Sequence, residues 1–319
     1  MATVKLLGLN NSNLGDDLLY LSAFQILSKV NSVVSTYSGH DRINKLIEKA
    51  FNTKVIVDRN SNLQVNVGGT ILSSKYSLKT KIGHLLGIKT IPFQSDSDIY
   101  ISLGVDEKYF LLREAKKLAA NADAVFVRDI ESHIALSIRA GFHKSYLLPD
   151  TTFVLKKILQ TMKTKSPPSL RKEVNVHIVR NWSTNLNLQK KQYDWLELNY
   201  KPEDVVVQFC ESDSIPSQKF TTITYDGTYE ILAEIILILK RCKKVYTARY
   251  HGLVLAIMCE KEFECFHIDE KISRLADYFA SNSDEHEVYF NLHDDAIIEK
   301  SYVELLNKIV KDVTKTTVS

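Results

Sequence analysis

The sequence predicts an α/β protein built from two Rossmann-like domains that face each other across a cleft. Three observations predict it. Short apolar runs alternate with helical patterns through the first half of the chain. That rhythm breaks at a basic, proline-containing stretch and then restarts. A chain of 319 residues also has room for two domains, at roughly 100–200 residues each.

The elements follow in order. Val4–Leu9 reads as a strand and Asn10–Gly15 as a polar turn. Asp16–Lys29 reads as a helix, with Leu18, Leu19, Leu21, Ala23, Ile26 and Leu27 on a broad apolar face. Its acidic start suits the positive end of a helix dipole. Val33–Tyr37 is a second strand, and Asp41 can cap a helix running to Phe51. Lys54–Val57, Leu63–Val67 and Ile99–Leu103 are strand candidates, the last two ending at Gly68-Gly69 and Gly104. Asp106–Asn121 reads as a helix, Ala124–Val127 as a strand, and Ile130–Ala140 as a helix stopped by Gly141. Strands alternating with helices call for a mostly parallel sheet.

Residues 158–172 carry several lysines and Pro167-Pro168, so they read as a linker between domains at 1–157 and 173–319. Beyond it, Val174–Val179, Asp204–Phe209, Phe220–Ile223 and Val245–Ala248 read as strands. Leu188–Leu198 is a helix, Asp226 is placed to cap the helix Tyr229–Arg241, and another helix starts at Leu253. In the tail, Val303, Leu306, Ile309, Val310 and Val313 stand at helical spacing, giving a helix able to pack back on the first domain.

Composition narrows the function. The net charge is +3, and no dense Lys/Arg run interleaves with aromatics, so nucleic acid is not the expected partner. The four cysteines, at 210, 242, 259 and 265, form no CxxC pair, which disfavours a zinc knuckle or a dithiol. Cys242 and Cys259 lie in apolar surroundings and read as small core residues. No His/Cys/Asp cluster stands at ligand spacing, so neither a metal nor a cofactor is expected. The N-terminus lacks a signal-peptide pattern. No apolar run reaches the ~18 residues of a membrane span, the longest being interrupted by Glu234. The expected location is the cytoplasm.

In open parallel sheets, ligands bind beyond the carboxyl ends of the strands. Asn13, Gly15, Asp16 and Asp17 follow the first strand; they either face the cleft or simply cap a helix. Neither G-x-G-x-x-G nor a Walker run is present, which makes a nicotinamide enzyme the weakest candidate. Gly68-Gly69 allows close approach to a ligand, with an ordinary tight turn the commoner reading. Arg128 either binds an anion or pairs with Asp129 or Glu131, and the structural role is favoured. Arg180 ends the first strand of domain two, where its guanidinium suits a carboxylate or phosphate; a surface salt bridge is the ordinary alternative. Arg249-Tyr250-His251 is the sharpest feature. A polar triplet lies between a buried strand and an apolar helix, where packing does not ask for it. The helix N-terminus adds free N–H groups, and His251 can supply a proton near neutral pH.

Together these pieces resemble the polysaccharide pyruvyl transferase family. The signposts are Asn13-x-Gly15-Asp16-Asp17, Gly68-Gly69, Val127-Arg128-Asp129 with Ser132, Gly141, Leu148-Pro149-Asp150, Arg180, Ala248-Arg249-Tyr250-His251-Gly252 and Asp269-x-Lys271. They span about residues 4–280 in the expected order. The resemblance implies a GT-B-like fold and a polysaccharide-building enzyme of the cell envelope. It would transfer a pyruvyl group from phosphoenolpyruvate to a sugar, forming a ketal and releasing phosphate. Carried over, Arg180, Arg249 and Tyr250 would hold the donor and His251 would be the acid. Asn13, Asp16 and Asp17 would face the acceptor, with Gly68, Gly69 and Arg128 at the cleft. The acceptor would be a sugar or a lipid-linked oligosaccharide, the latter bringing the protein to the inner face of the membrane.

Two rivals stay open. One is a nucleotide-sugar glycosyltransferase of the same architecture, although no E-x7-E pair stands near Gly252–Glu270. The other is a non-catalytic sugar-binding protein that keeps the fold.

Overall fold

A computed structural model describes residues 2–8, 11–30, 33–36, 41–55, 63–68, 70–72, 98–105, 121–139, 141–164, 174–181, 185–213, 215, 219–266, 270–281 and 294–316. Strands buried on both faces are near-continuous apolar runs, the signature of a parallel sheet covered by helices. The first sheet comprises β1 (Ala2–Gly8), β2 (Val33–Thr36), β3 (Leu63–Val67), β4 (Thr70–Leu72), β5 (Ile99–Val105), β6 (Ala124–Val127) and β7 (Ser145–Leu147). Its order is β2-β1-β3-β5-β6-β7, with β4 on β5, and every pairing is parallel. The second comprises β8 (Val176–Val179), β9 (Val205–Gln208), β10 (Thr221–Thr224), β11 (Lys244–Thr247) and β12 (Glu262–Cys265). Its order is β10-β9-β8-β11-β12, again all parallel. Strand order reverses between β1 and β3 and between β8 and β11, so each sheet has a topological switch point.

The helices are α1 (Leu14–Leu27), α2 (Asp41–Phe51), α3 (Ile130–Ile134), α4 (Lys156–Thr161), α5 (Leu186–Asn199), α6 (Tyr229–Arg241), α7 (Tyr250–Met258), α8 (Glu270–Ser281) and α9 (Asp295–Thr316). A 3₁₀ turn, Thr151–Leu155, precedes α4. α1 is apolar nearly all round and correspondingly buried. It meets the second half at its start, where Leu14 N donates to Phe209 O at 3.0 Å. One hydrophobic cluster therefore runs through both halves, from Val4 and Leu18 to Val176 and Leu253. α9 follows the second sheet in the chain but packs on the first half. Tyr302 donates to Pro149 O at 2.7 Å, its ring lies 5.5 Å from Phe126, and Glu299 accepts from Gln25 and Lys29. No described helix is long and apolar enough to cross a membrane.

Several elements differ from expectation. Thr228, not Asp226, caps α6: its hydroxyl accepts from Ile231 N, while Asp226 accepts from Thr228. α7 starts at Tyr250 rather than Leu253, which makes Arg249 its N-cap and puts His251 in its first turn. Gly252 is thus helical, not a turn. A Cβ there would overlap Thr247 Oγ1 and stand 3.1 Å from Ile178 Cδ1, so the glycine lets α7 lie close against β8 and β11. The expected helix at 130–140 opens as α3 and widens into a π turn over Ala135–Arg139. The helix expected at 106–121 lies almost wholly outside the described residues. So does half of the strand candidate at 54–57, whose first two residues are irregular. The linker expected at 158–172 overlaps α4, and most of the remainder is not described.

Candidate functional site

The second sheet's switch point positions two guanidinium groups. Its register sets Thr247 beside Ile178, so β8 and β11 end together and deliver Arg180 and Arg249 to neighbouring strand ends. Arg249 Nε donates to Val179 O at 3.0 Å, tying one strand end to the other. Its Nη2 is paired with Asp213, a carboxylate 2% exposed that also accepts from Asn181 N (2.9 Å) and Phe209 N (3.2 Å). Arg180 is held through its main chain, where Gln192 accepts from its N–H and donates to its carbonyl.

A cavity of 540 Å³ opens in front of these groups, lined by Asn13, Arg180, Cys210, Asp213 and Arg249 among others. Asn13 and Arg249 are the N-caps of α1 and α7. Two helix N-termini, one from each half, therefore border one cavity with two arginines; in α1 the first N–H groups are taken by Phe209 O and Asn13 Oδ1, so the arginines are the groups suited to a small anion. Asp213 pairs with Arg249, and Glu211 and Asp226 also line the cavity, so three carboxylates stand beside the two arginines.

His251 lies behind the Asn13-Gly15 edge and does not line this cavity. Its side chain is 13% exposed. One side of the ring rests on Gly15, where a Cβ would overlap Nδ1 and stand 3.1 Å from Cγ. On the other side, Nε2 lies 3.5 Å from Asp150 Oδ2 and 3.5 Å from Arg128 Nη1. Arg128 and Asp150 are paired at 2.9 Å, and the Arg128 guanidinium lies 4.8 Å from the Tyr250 ring centroid. Burial pushes the Asp16 carboxyl up, against the pull of nearby His251 and Arg249.

The sequence-predicted residues therefore separate into groups. Asn13, Arg180 and Arg249 share the cavity. Asp16, Arg128, Tyr250 and His251 belong to the cluster beside it. Arg128 pairs with Asp150, while Asp129 and Glu131 pair with Lys271 and Arg274 of α8. Asp17 does not face the cavity. It is 1% exposed and bound by Arg42 and the Tyr225 hydroxyl. Gly68 packs against β5, 3.0 Å from Leu103 Cα for an added Cβ, so its close approach is to backbone. Gly69 lies outside the described residues. Asp150, Cys210 and Asp213 were not singled out for the site by the sequence reading. Cys210 accepts from Asn13 and Arg249, both at 3.7 Å.

A profile described as polysaccharide pyruvyl transferase matches residues 13–269. Comparison with curated proteins finds no match. Among solved structures, UDP-GlcNAc 2-epimerase from Neisseria meningitidis bound to UDP-GlcNAc is similar, with a TM-score of 0.52 at 11% identity over 97% of this chain and 100% of that one. The Methanocaldococcus jannaschii UDP-GlcNAc 2-epimerase in complex with UDP-GlcNAc and UDP gives 0.53 at 10% identity over 87% of each chain. At such identities the likeness concerns the fold, which is GT-B-like.

Proposed function

The chain belongs to the polysaccharide pyruvyl transferase family, and we propose that it moves a pyruvyl group from phosphoenolpyruvate to a sugar, forming a ketal. One observation carries the donor assignment: Arg180 and Arg249 end adjacent strands at the switch point of the second sheet and line one cavity with two helix N-termini. Phosphoenolpyruvate presents a phosphate and a carboxylate on three carbons, and planar guanidinium groups suit both.

The chemistry then needs one proton delivered and two hydroxyl protons removed. Protonation of the donor's methylene carbon leaves a cation at C2, where a sugar hydroxyl attacks and loses its proton. The second hydroxyl closes the ring as the C2–O bond to phosphate breaks and phosphate departs with the remaining proton. His251 is the proposed acid, restored by the proton of the first hydroxyl. Asn13 and Asp16 stand on the acceptor side. The acceptor is a sugar or a lipid-linked oligosaccharide.

Phosphate release from phosphoenolpyruvate, screened across pyranoside acceptors with mass detection of the ketal, tests the proposal. Turnover excludes a sugar-binding protein without activity. Binding of a UDP-sugar in place of phosphoenolpyruvate would instead favour the glycosyltransferase reading, since the structural neighbours' descriptions name UDP-GlcNAc.

A further inference from the structure

We infer that Asp150 is the positioning residue for His251, holding the Nε2–H with Nδ1 against Gly15 of α1; the catalytic consequence rests on His251 acting as the acid. Asp150 belongs to the first half and His251 to the second. The carboxylate is held by groups of its own half. As N-cap of the 3₁₀ turn, its Oδ1 accepts from Thr152 N at 2.9 Å and Thr152 Oγ1 at 2.6 Å. Its Oδ2 accepts from Arg128 at 2.9 Å and lies 3.5 Å from His251 Nε2. The side chain is fully buried, so it has no rotamer freedom to turn away.

Arg128 competes for the same nitrogen, also at 3.5 Å, and can only donate. The two arrangements are exclusive. Either Nε2 carries the proton and gives it to Asp150, or Nε2 is bare and accepts from Arg128, which places the neutral ring's proton on Nδ1. The carboxylate prevails. Asp150 is a buried carboxylate already held by Arg128 and by both Thr152 donors, and a carboxylate is the acceptor that an Nε2–H needs. Arg128 already directs Nη1 to that oxygen at 2.9 Å. The other groups around the ring are Asp16 from α1, Arg249 on its own turn, and Tyr250, whose ring meets it edge-on at 5.4 Å. A 3.5 Å separation is long for a hydrogen bond, and contacts of this kind tighten when substrate binds. With Nε2 held, Nδ1 packs against Gly15 of α1, the residue after the cavity-lining Asn13 and its neighbour Leu14.

The first test uses the wild-type protein. In ¹⁵N-histidine-labelled protein, His251 is assigned by its loss in His251→Gln. Its neutral form should keep the proton on Nε2. A neutral Nδ1–H tautomer overturns the inference in favour of Arg128 as donor. This readout does not depend on any activity. Absence of pyruvyl transfer with the Nε2–H tautomer therefore removes the functional reading, but not the positioning.

The second test is Asp150→Asn. It should lower kcat by on the order of 10–100-fold, as loss of a histidine-orienting carboxylate does elsewhere. Phosphoenolpyruvate affinity should stay within about threefold, and the basic limb of the kcat–pH profile should move to lower pH. An unchanged profile overturns the inference. If the amide leaves Arg128 uncompensated and the variant misfolds, Arg128→Met/Asp150→Asn removes that charge, and the same profile is read there.

Discussion

The Tyr225 hydroxyl donates to Asp17 Oδ2 at 2.6 Å, joining the end of β10 to the first turn of α1 across the two halves. Arg42 of α2 forks onto both oxygens of the same carboxylate and reaches Gly227 O at 3.2 Å. Asp17 is thus a structural clasp. Tyr225→Phe removes a hydrogen bond to a charged group and should cost about 1.5–3 kcal/mol. Arg42→Met strands a buried carboxylate and should cost about 3–5 kcal/mol. Urea denaturation reads both; wild-type stability in the two variants would mean that the clasp is not formed in solution.

Arg249→Lys keeps the charge but loses the fork, and Arg180→Ala loses the charge. Each should weaken phosphoenolpyruvate binding by about 10–100-fold, the scale of one hydrogen bond to a charged group. Calorimetry decides. Lysine is the better probe at 249, because alanine would leave Asp213 buried without its cation. Unchanged affinity in both variants would move the donor elsewhere.

His251→Gln cannot supply a proton. Turnover should fall by on the order of 10²–10⁴-fold. Donor affinity should change far less, since Arg180 and Arg249 remain. Equal losses in both would make it a binding residue.

Gly252→Ala forces a methyl group against Thr247, whose hydroxyl bridges Arg249 N and O. Overpacking at such a contact costs about 1–3 kcal/mol. Thermal unfolding should show the loss, together with weaker donor binding as the Arg249 turn shifts. A variant as stable as wild type would mean that α7 can lift off the sheet.

Burial holds the His177 imidazole below its ordinary value, although Asp204 at 3.1 Å pulls the other way. The unfolded chain takes up this proton as pH drops past ~6.5, while the folded chain does not until lower pH. Stability contributed by neutral His177 is therefore full above that value and lost as pH falls through the window beneath it. His177→Gln should flatten the slope of unfolding free energy as pH falls below about 6.5. An unchanged slope would assign it to other groups.

The sheets were largely legible because their strands are apolar runs that do not need to alternate. β12, Glu262–Cys265, was missed: two of its four residues are glutamates, and only Cys265 is buried. β7 is three residues long and carries too little pattern to detect. At the site, Arg180, Arg249 and His251 stood out because packing did not explain them. Asp213 did not, and Asp150 entered only as part of the Leu148-Pro149-Asp150 signpost, without a role at the site. Each looks like an ordinary turn aspartate, and its role depends on a partner far away in sequence, 36 residues on for Asp213 and on the opposite half for Asp150. Asp17 was misleading for the same reason, since its partners Arg42 and Tyr225 come from two other elements.

α9 also bears on how the protein is made. It is translated after the whole second sheet, yet its Tyr302 closes over Phe126 and Pro149 of the first. The half that leaves the ribosome first is therefore the half finished last. Until α9 emerges, Phe126 lacks the Tyr302 ring and Pro149 O lacks its donor. Fusions or truncations that trap α9 should be seen first as poor yield of the nascent chain, before any measurement of catalysis.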